Sequence, residues 1–194
     1  MSMSLVRLSR PHFDARTKCT LNTGVMDVTR AILPHMRAHK EGGIINVSSG
    51  TGLYTLPMTS IYCASKFALE GFTEALSYEL ASQDVFVKSV IPHGGVSGTN
   101  FGERFKATTP LTDPKIASDY DEWVQKTFRQ FGKMAAGVTI SSGDVAKVIY
   151  EAATDGSDKL RYLVGNDTRG FLRARYESNS DEEYIAYMRS FFRD

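Results

Sequence analysis

Residues 44–80 read IINVSSGTGLYTLPMTSIYCASKFALEGFTEALSYEL. Ile44-Ile45-Asn46-Val47 is a short apolar run that predicts a buried strand. Ser48-Ser49-Gly50-Thr51-Gly52 is the turn that leaves it, since Ser and Gly are ordinary turn residues. From Ser60 the period changes. Ile61, Ala64, Ala68, Phe72, Ala75 and Leu76 recur at helical spacing, which predicts a helix to about Ala81 with those residues on its apolar face.

Working outward, Val85 to Ile91 is apolar and β-branched and predicts a second buried strand, ended by Pro92-His93-Gly94-Gly95. Upstream, Val25, Val28, Ile32 and Met36 trace a helix from Gly24, with Pro34 marking a kink or its last turns and Gly42-Gly43 its stop. Downstream, a helical stretch is expected near Pro114 to Phe131. The helix Ser141 to Asp155 follows, capped by Ser141 or Ser142 and carrying Val145, Val148, Ile149 and Ala152 as its core stripe. Leu160 to Val164 reads as a third strand. Ser180-x-x-Glu183 is a capping box opening a last helix with Ile185, Met188 and Phe192. Short apolar strands alternating with helices predict an α/β fold, a parallel sheet covered on both faces.

The chain has 194 residues, about one domain by length, with 42% apolar and 23% charged residues. That is too apolar for a disordered chain and enough for one core. Lys plus Arg is 23 and Asp plus Glu 22, a net charge of +1 that gives no basic excess for nucleic acid or anionic lipid. No apolar run approaches a membrane span. Cys19 and Cys63 make neither a disulfide framework nor a metal motif, so a reduced, cytoplasmic setting is the default. Residues 1–19 read as an irregular arm, preferred over a weak Arg- and Ser-rich transit signal. His35 and His39 stand four apart on a helix, but no third ligand joins them, so no metal is expected.

The chemistry centres on Tyr62 and Lys66, four apart and therefore on one helix face. A phenol titrates near 10, and a neighbouring ammonium favours its ionised form. Taken alone, the pair reads more readily as a helix-surface contact. Ser49 lies thirteen residues before Tyr62, at the end of a predicted strand. Ligands of open α/β sheets bind beyond the carboxyl ends of strands, where a serine hydroxyl can donate to a carbonyl oxygen while Tyr62 supplies a proton. The alternative for Ser49 is turn chemistry alone.

As a set, these residues resemble the short-chain dehydrogenase/reductases. The resemblance rests on the strand, Ser49, its spacing to Tyr62-Cys63-Ala64-Ser65-Lys66, and the ALEGFTEAL helix. It extends to DVTRAILPHMRAHKEGG before them, and to VKSVIPHGGVSGTNF and ATDGSDKLRYLVGND after. It covers about residues 20–194 and implies a Rossmann-like parallel sheet with flanking helices, NAD or NADP as cofactor, and a small carbonyl or alcohol substrate. It further implies Tyr62 as acid-base, Ser49 positioning the carbonyl, and Lys66 binding ribose hydroxyls and lowering the tyrosine pKa. Pro92, Gly94, Gly95, Val96 and Thr99 would line the nicotinamide, with Ser97 as the other candidate for the threonine role. The first two large helices would form a homo-oligomer contact.

The sequence departs from the family pattern at several points. Leu21 stands where the family has its catalytic asparagine, and Asn22 is one residue later; a one-residue shift restores it. His93 intervenes in the usual Pro-Gly pair and reads as a loop variant. Trp123, Tyr120, Phe128 and Met134 fall where the family places its substrate lid, and read equally well as core residues. The Gly-rich turn that cradles a pyrophosphate is missing, since Gly50-Thr51-Gly52 follows the serine strand and opens no phosphate-binding helix. Residues 20–194 therefore read as the catalytic part of an N-terminally truncated Rossmann domain. The competing reading is a non-catalytic fragment or interaction module that cannot hold a dinucleotide.

Overall fold

The computed structural model describes residues 23–93, 95–101, 103–104, 118–136, 140–167 and 169–193. The proposed arm, Asn22 and Gly94 lie outside them. The elements are α1 (Thr23–His39), β1 (Gly42–Val47), α2 (Ser60–Leu80), β2 (Val85–Pro92), β3 (Val96–Ser97), α3 (Ser118–Ala136), β4 (Ile140–Ser141), α4 (Ser142–Thr154), β5 (Arg161–Val164), α5 (Phe171–Glu177) and α6 (Asp181–Ser190). The expected α/β alternation is present. The two-residue strands β3 and β4, which pair with each other, and the short α5 are additions.

The sheet runs β1-β2-β5 and is parallel throughout. Gly42 pairs with Val85 and Val47 with Val90, while Ser89 pairs with Arg161 and Pro92 with Val164. Among the described residues nothing pairs with the outer edge of β1. In β2 the side chains alternate between faces as a pleated strand requires. Val85 and Val87 pack with Leu76 and Leu80 of α2, against Leu33, Met36, Ile44 and Phe72. Val90 packs on the other face with Ala152, Tyr162 and Val164, against Val145, Val148 and Ile149. The stripe expected of α4 is therefore its core face. Ser141 caps that helix, and Asp144 completes a full capping box.

Hydropathy alone found the buried flank of both large helices only in part: Met36 of α1 and Phe72 and Leu76 of α2 face the core. On α1, Val28 is 70% exposed and Ile32 sits at the surface, while Thr29 is buried. On α2, Ala64, Ala68 and Ala75 are exposed, and the buried side carries Cys63, Leu69, Glu70, Thr73, Leu76 and Leu80. The reason is polar pairing, because a buried polar group is tolerated when it is hydrogen-bonded. Asn46 Nδ2 donates to Thr73 Oγ1 at 2.9 Å, and Ser89 Oγ donates to Glu70 Oε1 at 2.5 Å. Arg161 Nε closes the group with a 2.8 Å ion pair to Glu70 and reaches Glu74 as well. Across the sheet, Lys88 is buried and donates to Asp155 at 2.7 Å and to the Ala152 carbonyl at 2.9 Å. Pro34 falls in the last turns of α1, which ends at His39. The box at α6 is half formed. Ser180 Oγ accepts from the Glu183 N–H, but the Glu183 carboxylate turns to the Asn179 N–H.

Candidate active site

The ends of β1, β2 and β5 (Val47, Pro92 and Val164) lie at the same edge of the parallel sheet, which is where ligands bind in such folds. Ser48 and Ser49 leave β1 there, His93 and Gly95 leave β2, and Gly165 to Arg169 leave β5. The Ser48 N–H donates to the Val90 carbonyl at 2.8 Å, so β1 keeps its register up to the residue before Ser49. The chain then makes a single tight turn, Gly50–Gly52, whose three residues are all buried. A buried turn cannot cradle phosphates, which agrees with its reading as a strand exit. Gly52 is needed here, because a Cβ on it would stand 3.0 Å from the Lys66 carbonyl oxygen. This approach seats the turn against the start of α2.

Tyr62 projects from the first turn of α2, and with Ser49 it lines a cavity of about 580 Å³. The Ser49 hydroxyl contacts Thr51 Oγ1 at 3.0 Å and accepts from the Thr51 N–H. It also sits beside the Tyr62 phenol. Burial pushes that phenol above its ordinary value, and the Ser49 hydroxyl pulls it part of the way back. Lys66 holds its ammonium 5.8 Å from the Tyr62 ring centroid and donates to the Val47 carbonyl at 3.1 Å. Burial pushes the Lys66 amine down, with Glu70 opposing. The expected lowering of the tyrosine by the lysine is therefore not the outcome in this arrangement, because burial dominates.

Pro92, Gly95, Val96 and Thr99 line the same cavity as Ser49 and Tyr62. Thr99 Oγ1 donates to the Val96 carbonyl at 3.3 Å, and Ser97 Oγ donates to the Ile140 carbonyl at 3.2 Å, which leaves Thr99 as the threonine on the cavity wall. Two buried polar atoms on this wall, Ser48 Oγ and His93 Nε2, have no hydrogen-bond partner. Buried polar groups are normally paired, so these two mark places for a polar group of a ligand or an ordered water. The residues present thus fit the nicotinamide end of a dinucleotide. No Gly-rich turn opening a phosphate-binding helix occurs among the described residues.

The rest of the cavity is apolar: Leu56, Phe101, Phe131, Met134, Val145 and Phe171. Phe101 lies 5.8 Å from the Tyr62 ring. Of the aromatic and sulfur residues expected in a lid, Met134 lines this cavity. Trp123 instead lines a separate groove beside Ser60, Phe67 and Met188, and Phe128 stacks edge-on against Phe131. Tyr54, His93, Phe131 and Arg169 on the wall were not legible as site residues. They reach it only through tertiary packing, and the sole sequence signal was His93 interrupting Pro-Gly. His93 is buried, and burial pushes its imidazole down. His39 Nδ1 contacts the His35 carbonyl at 2.8 Å, and among the described residues no cluster of three potential metal ligands occurs.

Parallel strands, a cavity at their carboxyl edge lined by Ser49 and Tyr62, and Lys66 behind Tyr62 make up a Rossmann-like α/β arrangement. The sequence profile of the short chain dehydrogenase family matches residues 6–109. The chain belongs to the short-chain dehydrogenase family. An uncharacterized oxidoreductase of Schizosaccharomyces pombe is 37% identical over 143 residues, which are 74% of this chain and 57% of that protein. Bovine retinol dehydrogenase 8 is 33% identical over 71% of this chain and 44% of its own length. The chain thus spans about half the length of the curated relatives it matches. A short-chain dehydrogenase from Streptomyces avermitilis superposes with a TM-score of 0.69 at 25% identity, over 97% of this chain and 66% of that one. One from Burkholderia phymatum in complex with NAD gives 0.67 at 21% identity, over 91% and 61%. Among the described residues no helix is long and apolar enough to cross a membrane.

Proposed function

We propose that this chain carries the proton-transfer and carbonyl-binding machinery of a nicotinamide-dependent oxidoreductase acting on a secondary alcohol or its carbonyl counterpart. The observation that carries this reading is the convergence of Ser49 and Tyr62 on one cavity at the carboxyl edge of the sheet. A nicotinamide dinucleotide, when bound, supplies or takes up the hydride. Ser49 donates to the carbonyl oxygen and holds it within reach of Tyr62. The Tyr62 phenol gives its proton to that oxygen during reduction and recovers it during oxidation. Lys66 contributes positive charge on the same helix face and donors for ribose hydroxyls. Pro92, Gly94, Gly95, Val96 and Thr99 would border the nicotinamide, and Asn22 would take the place of the family's catalytic asparagine. Neighbours solved with NAD and with NADP support a dinucleotide cofactor without choosing between the two.

Calorimetric titration with NADH and with NADPH tests this. Saturable binding of either is the expected outcome. No heat at millimolar cofactor would favour the alternative of a non-catalytic interaction module. Homo-oligomer formation through α1 and α2 belongs to the same proposal, with light scattering as its measurement.

A further inference from the structure

We infer that Arg169 and Tyr54 form a carboxylate-recognition subsite in the wall of the catalytic cavity, and that the substrate is an oxo or hydroxy carboxylic acid with an apolar body. This rests on the carbonyl chemistry proposed above and specifies its substrate. Both residues line the cavity that holds Ser49 and Tyr62. Tyr54 is only 4% exposed, and its hydroxyl takes part in no hydrogen bond of the described structure. Among the described residues the enclosed polar atoms without a partner are Ser48 Oγ and His93 Nε2, so the Tyr54 hydroxyl keeps contact with the open cavity, where a ligand acceptor can reach it. The hydroxyl lies close to the strand-end turn, since a Cβ on Gly50 would stand 2.7 Å from it. A group bound there is therefore a short distance from the carbonyl held by Ser49.

Arg169 supplies the charge. Its guanidinium donates to the Met134 carbonyl and pairs with no carboxylate among the described residues, which leaves donors for a ligand. Its backbone is fixed as well, with Tyr187 donating to the Arg169 carbonyl at 2.5 Å. The nearest acid in sequence, Asp167, is held in place by the N–H groups of Phe171 at 2.9 Å and Arg173 at 3.0 Å, and its charge reaches Tyr54 along with that of Arg169. His93 beside them is held neutral by burial and adds no charge. Tyr54 is pushed up to about 12, first by burial and then by Asp167, so it stays a neutral donor at physiological pH. A guanidinium and a phenol on one wall make a two-donor clamp for an anionic oxygen pair. The apolar residues Leu56, Phe131 and Met134 would take the body of the molecule.

The test is calorimetric binding of octanoate and of 1-octanol to the cofactor-free chain. Octanoate should bind about tenfold or more tightly than 1-octanol, the usual advantage of charge-assisted bonds. Arg169→Gln should erase that preference, and Arg169→Lys should keep part of it. Equal binding of the two probes by the unmodified chain would overturn the proposal, and so would a preference that survives in a folded Arg169→Gln variant. Because no turnover is read, failure of the hydride-transfer reading leaves this result interpretable, and the reverse also holds.

Discussion

The Lys66 ammonium donates to the carbonyl of Val47, 3.1 Å away, and so ties the first turns of α2 to the last residue of β1. The bond joins the element that carries Tyr62 to the strand that delivers Ser49. Lys66 thus has a structural duty beside the cofactor contact proposed for it. Replacing it with Met removes both. We expect kcat to fall by about two orders of magnitude, with weaker NADH binding by calorimetry. Lys66→Arg should recover part of the binding but little of kcat, because the planar fork does not reproduce a compact ammonium.

Tyr62 titrates above the ordinary phenol value of 10.0, chiefly through burial. The acid form is therefore the resting form at neutral pH. Carbonyl reduction, which consumes the phenol proton, should be level through neutral pH and decline only in strong alkali. Alcohol oxidation needs the ionised form and should climb as pH rises. Initial rates in both directions across pH check this, and a reduction rate that falls between neutral and mildly alkaline pH contradicts it. Tyr62→Phe should lose at least about a hundredfold in turnover with an unchanged near-ultraviolet circular dichroism spectrum.

Gly52 lets the strand-end turn approach α2. A methyl there would meet the Lys66 carbonyl at 3.0 Å and the Glu70 side chain at 3.1 Å, and the backbone atom cannot swing away. Gly52→Ala should push Ser49 away from Tyr62 and lower kcat about tenfold to a hundredfold, because small misplacements of reacting groups are costly. Kinetics together with a thermal melt separate this from simple unfolding.

Glu70 is buried and holds Ser89 and Arg161. Glu70→Ala leaves the Ser89 hydroxyl without its acceptor and Arg161 with Glu74 alone. It should cost about 3 kcal/mol in urea unfolding.

Asp155 is held well below the usual carboxylate range, first by Lys88 and then by Tyr162. A depressed carboxylate contributes stability that is complete above its unfolded value of 3.8 and is lost as pH falls from there toward the folded value. Melting temperature should therefore drop below about pH 4. The Asp155→Asn variant should be less stable at neutral pH and should show a shallower fall.

The order of elements and the parallel sheet could be read from residues 44–80 and their flanks, because periodicity and turn residues are local properties. Ser49, Tyr62 and Lys66 were legible for the same reason: their spacing along one strand, turn and helix fixes them together. The buried polar positions of α2 were not, because Glu70 and Thr73 lie inward on partners far away in sequence. Glu70 meets Arg161 across 91 positions. The cavity wall was equally hidden. Tyr54, His93, Phe131 and Arg169 come from four separate segments and meet only when β1, β2 and β5 align their carboxyl ends. By itself the sequence determined the fold class and set Ser49, Tyr62 and Lys66 along one strand, turn and helix, since these follow from contacts a few residues apart. Only the tertiary structure decided which polar groups are buried, the direction of the Tyr62 shift and the chemistry of the pocket, because burial and electrostatics depend on what the distant chain brings alongside.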